Sequence, residues 1–102
     1  MPAAARAENV DTITTGHGCD ATAKIAGTLQ TSVIINGNIG AVKGDAIAPH
    51  TIPSGPACVP HSAVVNAGSS TVFLEGIEAA RIGDSADGGV IISGSGTVFI
   101  GG

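Results

Sequence analysis

The stretch Thr71-Val72-Phe73-Leu74-Glu75-Gly76-Ile77-Glu78-Ala79-Ala80-Arg81-Ile82-Gly83-Asp84 is written more than once in this chain of 102 residues. It matches Ser32-Val33-Ile34-Ile35-Asn36-Gly37, continuing to Gly40-Ala41-Val42-Lys43-Gly44-Asp45, without a gap. The last residues, Thr97-Val98-Phe99-Ile100-Gly101-Gly102, repeat its first half, and Pro2-Ala3-Ala4-Ala5-Arg6-Ala7-Glu8-Asn9 stands against Ile77 to Asp84 as the second half. An internal repeat dictates the fold more strongly than any local propensity. Three units result, one of them cut by the termini. The steps between their first strands, at Ser32, Thr71 and Thr97, use up the whole chain if Pro2 follows Gly102 in register. A closed ring of three units is expected, with its termini close together.

Each unit reads as a hairpin. Asn36-Gly37 between two apolar runs is a strong hairpin signal, because both residues tolerate the positive φ of a type I′ turn; Glu75-Gly76 and Gly101-Gly102 hold the equivalent places. Strand alternation then puts Val33 and Ile35, Val72 and Leu74, and Val98 and Ile100 on one apolar face, the expected core. Ile34, Phe73 and Phe99 fall on the other face and call for a second buried surface, either between repeats or against a partner. Many Ile, Val and Thr beside 16 Gly and 5 Pro, with no Trp or Tyr, agree with an all-β chain of short strands and tight turns.

Two connections separate the units. Val10 to Thr31 carries Gly16-His17-Gly18-Cys19-Asp20 and then Ala21 to Ala26, too short for periodicity to decide between a helical turn and a strand. Asp45 to Thr71 holds four prolines and reads as a long loop without regular structure, functional or tied down. The third connection, Ser85-Ala86-Asp87-Gly88-Gly89, reads as a plain turn with no side chain that binds a transition metal tightly.

All three histidines and both cysteines lie in the two long connections. Cys58-Val59-Pro60-His61 is a Cys-x2-His pair of the kind seen in structural zinc sites. With His50 from the same connection and His17 from the other, it makes a set of three His and one Cys: His17, His50, Cys58 and His61. Cys19 is the rival fourth ligand. A Cys19–Cys58 disulfide is the simpler reading of the cysteine pair, but the composition around it resembles a metal site more closely. Four protein ligands would close the coordination sphere and leave no position for a reactive water, so one structural zinc ion is expected, with no catalytic residues. The competing reading is a small zinc-dependent hydrolase or redox protein built on Cys58 and His61.

Other functions find less support. A formal charge of −4 with four Lys and Arg argues against nucleic acid. No apolar run is long enough to span a bilayer as a helix, and the basic and apolar regions of a signal peptide are missing. Gly44-Asp45 and Gly83-Asp84 do not lead from a strand into a helix, so they read as turns and not as phosphate loops.

Taken together, Pro2-Ala3-Ala4-Ala5-Arg6, Thr71 to Gly76 followed by Ala79-Ala80-Arg81-Ile82-Gly83-Asp84, and Gly94-Ser95-Gly96-Thr97-Val98-Phe99-Ile100-Gly101 resemble the PAAR-repeat proteins over the whole chain. Pro-Ala-Ala-Arg carries an extra Ala at the start, becomes Glu78-Ala79-Ala80-Arg81 in the middle, and loses its Arg in Gly40-Ala41-Val42. The resemblance implies a small cone with pseudo-threefold symmetry that caps a trimeric β-helical spike in type VI secretion systems or phage tails. It implies one tip per trimer and help in piercing the target envelope, with separate effector proteins as further partners. It also implies a zinc near the apex held by His and Cys, here His17, His50, Cys58 and His61, and spike contacts at Ile34, Phe73 and Phe99. Such a protein is made in the cytoplasm and delivered on a secreted or virion spike. Residues 1 to 102 are expected to be a single domain without an extension.

Overall fold

The computed structural model describes residues 1–101, and among them the regular structure is all β. Five short antiparallel hairpins follow one another along the chain. They are β1 (Thr12–Thr14) with β2 (Thr22–Lys24), β3 (Ile34–Ile35) with β4 (Asn38–Ile39), β5 (His50–Ser54) with β6 (Ala57–His61), β7 (Phe73–Leu74) with β8 (Ile77–Glu78), and β9 (Ser85–Ala86) with β10 (Gly89–Val90). Single bridges join them to one another, and the molecule measures 42 × 23 × 21 Å.

The two expected repeat turns are present. Asn36 and Gly37 lie at φ 52° and 81°, and Glu75 and Gly76 at 52° and 80°, so both central residues occupy the left-handed region that a type I′ turn demands. Glutamate is a costly residue there. Its carboxylate offsets the cost by accepting hydrogen bonds from the Thr31 and Ser32 amides, at 2.9 and 2.8 Å, and from the Ser32 hydroxyl at 2.7 Å. The third turn includes Gly102, outside the described residues.

The chain ends meet. The Ile100 amide donates to the Pro2 carbonyl (2.8 Å) and the Ala4 amide to the Val98 carbonyl (2.9 Å). Ala5, Ala41 and Ala80, all fully buried, form a closed cycle of backbone hydrogen bonds: Ala5 donates to Ala80, Ala80 to Ala41, and Ala41 to Ala5, at 2.9 to 3.0 Å. A methyl is the largest side chain that leaves three backbones this near one another at a fully buried point.

Each segment in that cycle ends in a carboxylate turn. Asp45 accepts from the Val42 amide (2.8 Å), Asp84 from the Arg81 amide (2.8 Å) and Asp11 from the Arg6 amide (2.7 Å). The repeat alignment sets Asn9 in the last of these places; the structure uses Asp11. Its turn is two residues longer, with Glu8 and Asn9 at positive φ. Arg6 and Arg81 also grip their own Asp through the guanidinium, at 2.8 and 2.9 Å.

The core has two clusters. Ile35, Leu74 and Ile100 pack with Ala4, Val42 and Ala79, with Val33 and Val72 partly buried against them. Val98, expected with this group, is exposed. The second cluster takes its large side chains, Ile13, Ile25, Ile47, Val65 and Ile91, from the connections and packs them with Ala5, Ala41 and Ala80 of the repeats. Ile34, Phe73 and Phe99 are exposed to nearly the same degree, 54%, 52% and 50%, so neighbouring repeats do not cover them.

The proline-rich connection corrects the expectation of a loop without regular structure. It contains the longest hairpin described, β5 with β6, paired from Ser54↔Ala57 to His50↔His61. Gly55 at φ 59° followed by Pro56 makes the two-residue turn, because a hairpin turn with positive φ only at its first central residue accepts Pro at the second. Pro53 and Pro60 are tolerated because each strand of a two-stranded ribbon has one edge free of ladder bonds.

Candidate metal centre

Three hairpins bring the polar cluster together. The turn at Gly55-Pro56 fixes the register of β5 and β6, and that register sets His50 directly opposite His61. Cross-strand partners share a face, and the two rings meet edge to face with centroids 5.1 Å apart.

His17 arrives on the loop between β1 and β2. Thr15, buried beneath this loop, accepts the His17 amide at its hydroxyl (3.2 Å) and donates to the Asp20 carbonyl (2.6 Å). The loop lies against the turn between β9 and β10, where the Gly88 amide donates to the Thr15 carbonyl (2.9 Å). Glycine is required on both sides of that contact. A Cβ on Gly16 would stand 2.2 Å from the Gly88 carbonyl oxygen, and one on Gly88 would stand 2.8 Å from that of Thr15.

Asp87 occupies that same turn at φ 53°, a conformation its short polar side chain tolerates. All three histidines converge on it. His17 Nε2 lies 2.8 Å and His61 Nε2 3.0 Å from Oδ1, and His50 Nε2 lies 2.7 Å from Oδ2. The Asp87 and His50 side chains are almost wholly buried, while those of His17 and His61 keep about a quarter of their surface in solvent.

Burial by itself would raise the Asp87 pKa. The hydrogen bonds from His17, His61 and His50 outweigh it and lower the pKa to about 2. At His50 burial opposes protonation, and the Ala48 carbonyl together with Asp87 outweighs it, so its pKa is raised.

The hydrogen-bond inventory shows what such a cluster holds. His50 Nδ1 is 2.9 Å from the Ala48 carbonyl, which can only accept, so Nδ1 carries the hydrogen. In a neutral ring Nε2 then presents a lone pair to a carboxylate oxygen 2.7 Å away. Two acceptors at that separation need a cation between or beside them, either a proton on Nε2 or a metal ion. An imidazole anchored through Nδ1–H to a backbone carbonyl, with Nε2 free to ligate, is also the usual outer-shell arrangement of a metal-bound histidine. One ligand atom each from His17, His61 and Asp87 lies within 4.8 Å of the others, so these residues form a candidate metal site, with His50 on the second carboxylate oxygen.

His17, His50 and His61 are therefore brought together as expected, and Cys58 is not one of their group. Its sulfur is bonded to Cys19, with Cα atoms 6.0 Å apart, and no free thiol remains to ligate. Strand geometry explains the correction. Side chains three apart on an extended strand point to opposite faces, so Cys58 and His61 cannot chelate from β6 as they could from a turn. Cys19, the rival ligand, is excluded by the same bond.

The fourth side chain of the cluster is the carboxylate of Asp87, from the connection expected to be a plain turn. Asp87-Gly88 is itself a turn signal, and the third connection is equivalent by repeat position to the two that carry His. Those two facts together could have marked Asp87. A scan against protein-family models and a search of curated proteins return no match for the chain.

Proposed function

We propose that this chain is a structural tip: a pseudo-threefold cone that caps a trimeric β-helical spike of a contractile injection machine, with its apex clamped by one zinc ion. The observation that carries the reading is the closed cycle of Ala5, Ala41 and Ala80, in which three chain segments donate and accept in rotation. Gln30, Ser69 and Ser95 repeat one role around it, each accepting two successive amides at the start of a unit. Asp11, Asp45 and Asp84 repeat another.

Ile34, Phe73 and Phe99 stand at equivalent positions of the three units and are equally exposed, so one chain offers three similar apolar contacts to a threefold partner. The resemblance to PAAR-repeat proteins supplies the class of partner. Zinc suits the donors because it accepts imidazole nitrogen and carboxylate oxygen in a four-coordinate site. His17, His50, His61 and Asp87 would hold it, tying together three connections that also pack on one another through Ile13, Ile25, Ile47, Val65 and Ile91. The bound ion contributes its ligation energy to folding.

The test is binding to a panel of trimeric β-helical spikes. The native chain should bind one of them, and replacing Phe73 and Phe99 with Asp should abolish that binding while leaving the melting temperature within a few degrees, because both side chains are exposed. Equal binding by the native and double-Asp chains would exclude this face as the contact.

A further inference from the structure

We propose that the Cys19–Cys58 disulfide is a redox control on the metal centre, so that its reduction weakens ion binding by releasing the loop that carries His17. This rests on the ion reading above, and it concerns a group that the site does not itself use.

The three histidines are not held alike. His50 and His61 belong to β5 and β6, whose pairing continues for two register positions beyond the His pair and reaches Cys58 at the third. Their positions depend on that ladder. His17 instead sits between Gly16 and Gly18, two residues from Cys19, on a loop with no strand of its own. Glycines on both sides give this segment the largest conformational entropy to recover when a restraint is removed.

Its restraints can be counted. At its base, Thr15 bonds to His17, Asp20 and Gly88. At its far end, the Asp20 carboxylate accepts the Thr51 amide and hydroxyl, both at 2.8 Å, and the Asp20 amide donates to the Thr51 carbonyl at 3.4 Å. Between them, the only covalent tie from this loop to the hairpin of His50 and His61 is the bond from Cys19 to Cys58.

Two further observations mark that bond as one that exchanges. Cys19 and Cys58 are both exposed, and a reductant can reach exposed disulfides. Cys19 is also held at φ 65°, a left-handed conformation that non-glycine residues adopt at a cost. Reduction takes two electrons and two protons, supplied by a dithiol that closes to its own disulfide, and leaves two thiols. Alternation along β6 points the Cys58 thiol away from the face of His61, so the freed sulfur does not replace the lost restraint as a ligand. A chain made in a reducing compartment would tighten its grip on the ion only after passing into an oxidising one.

Linkage makes the coupling reciprocal: if the bridge favours the ion, the ion protects the bridge. The experiment measures zinc affinity of the full chain by competition with a chromophoric chelator, in the oxidised protein and in protein reduced by a phosphine that is then removed under argon. A parallel measurement follows the rate of reduction with and without zinc, and the variant C19S/C58S, checked for its fold by circular dichroism, repeats the affinity. The reduced chain and C19S/C58S should both bind zinc roughly tenfold or more weakly than the oxidised chain, and zinc should slow reduction. Equal affinity in both redox states overturns the proposal while leaving the ion reading intact. Tighter binding after reduction, lost in C19S/C58S, overturns it in favour of a thiolate ligand. No zinc binding in either state overturns both.

Discussion

At the scale of the residue, Asp87 organises the cluster, since one carboxylate faces three imidazoles. Asp87→Asn keeps the shape and removes the charge. It should lower the stability of the metal-free protein by about 2 kcal/mol, read from urea unfolding, and weaken zinc binding by at least tenfold. The pH dependence has a definite sign. The Asp87 pKa is depressed to about 2, so its contribution is complete above the unfolded carboxylate value and is lost as pH falls toward 2. The His50 pKa is raised, so its contribution is complete below the unfolded value near 6.5 and is lost as pH rises through the folded one. Thermal melts of the metal-free chain should therefore lose these contributions on both sides of a window from about pH 4 to 6.5. Zinc bound at the proposed site should reverse the upper limb, because ligating imidazoles must be neutral and the stabilisation they carry then grows as pH rises. A metal-free protein whose melting temperature climbed steadily from pH 6 to 8 would contradict the His50 assignment. The histidines were legible in the sequence because they sort into two connections. Asp87 could be marked only through its repeat position, because a lone Asp in a tight turn has the same local chemistry whether or not imidazoles reach it.

Among the elements, the hairpins place these side chains and the glycines let them approach. Gly88→Ala adds a methyl 2.8 Å from the Thr15 carbonyl oxygen, backbone that cannot yield without moving His17. It should cost about 1 to 3 kcal/mol and weaken the ion site. Gly55→Ala meets no atom and suffers only from its positive φ, so it should cost about 1 kcal/mol and leave ion affinity unchanged. If both variants lost zinc equally, close packing of the two turns would not be what positions His17. The repeat hairpins could be read from Asn36-Gly37 and Glu75-Gly76, where turn chemistry and alternation agree. The hairpin of β5 and β6 was hidden by its prolines, which argue against a strand only when both edges must pair. Recognising Gly55-Pro56 as its turn would have set His50 against His61 and carried Cys58 to the other face.

For the whole molecule, the claim is a ring of three units closed through the chain ends. Ala5, Ala41 and Ala80 are equivalent in it, and Ala→Val at each should cost a similar amount, about 1 to 3 kcal/mol. One of the three tolerated without loss would show that the cycle of hydrogen bonds does not stand at a common packed centre. The closure itself was legible, since the split repeat demands that Pro2 meet the last strand, and the Ile100 amide does donate to the Pro2 carbonyl. The second core cluster was not, because Ile13, Ile25, Ile47 and Ile91 come from connections without a repeat to align them. If the chain is the proposed tip, native mass spectrometry of it with a trimeric β-helical spike should give one chain per trimer, whereas three chains per trimer would contradict a tip whose own three units match the three subunits.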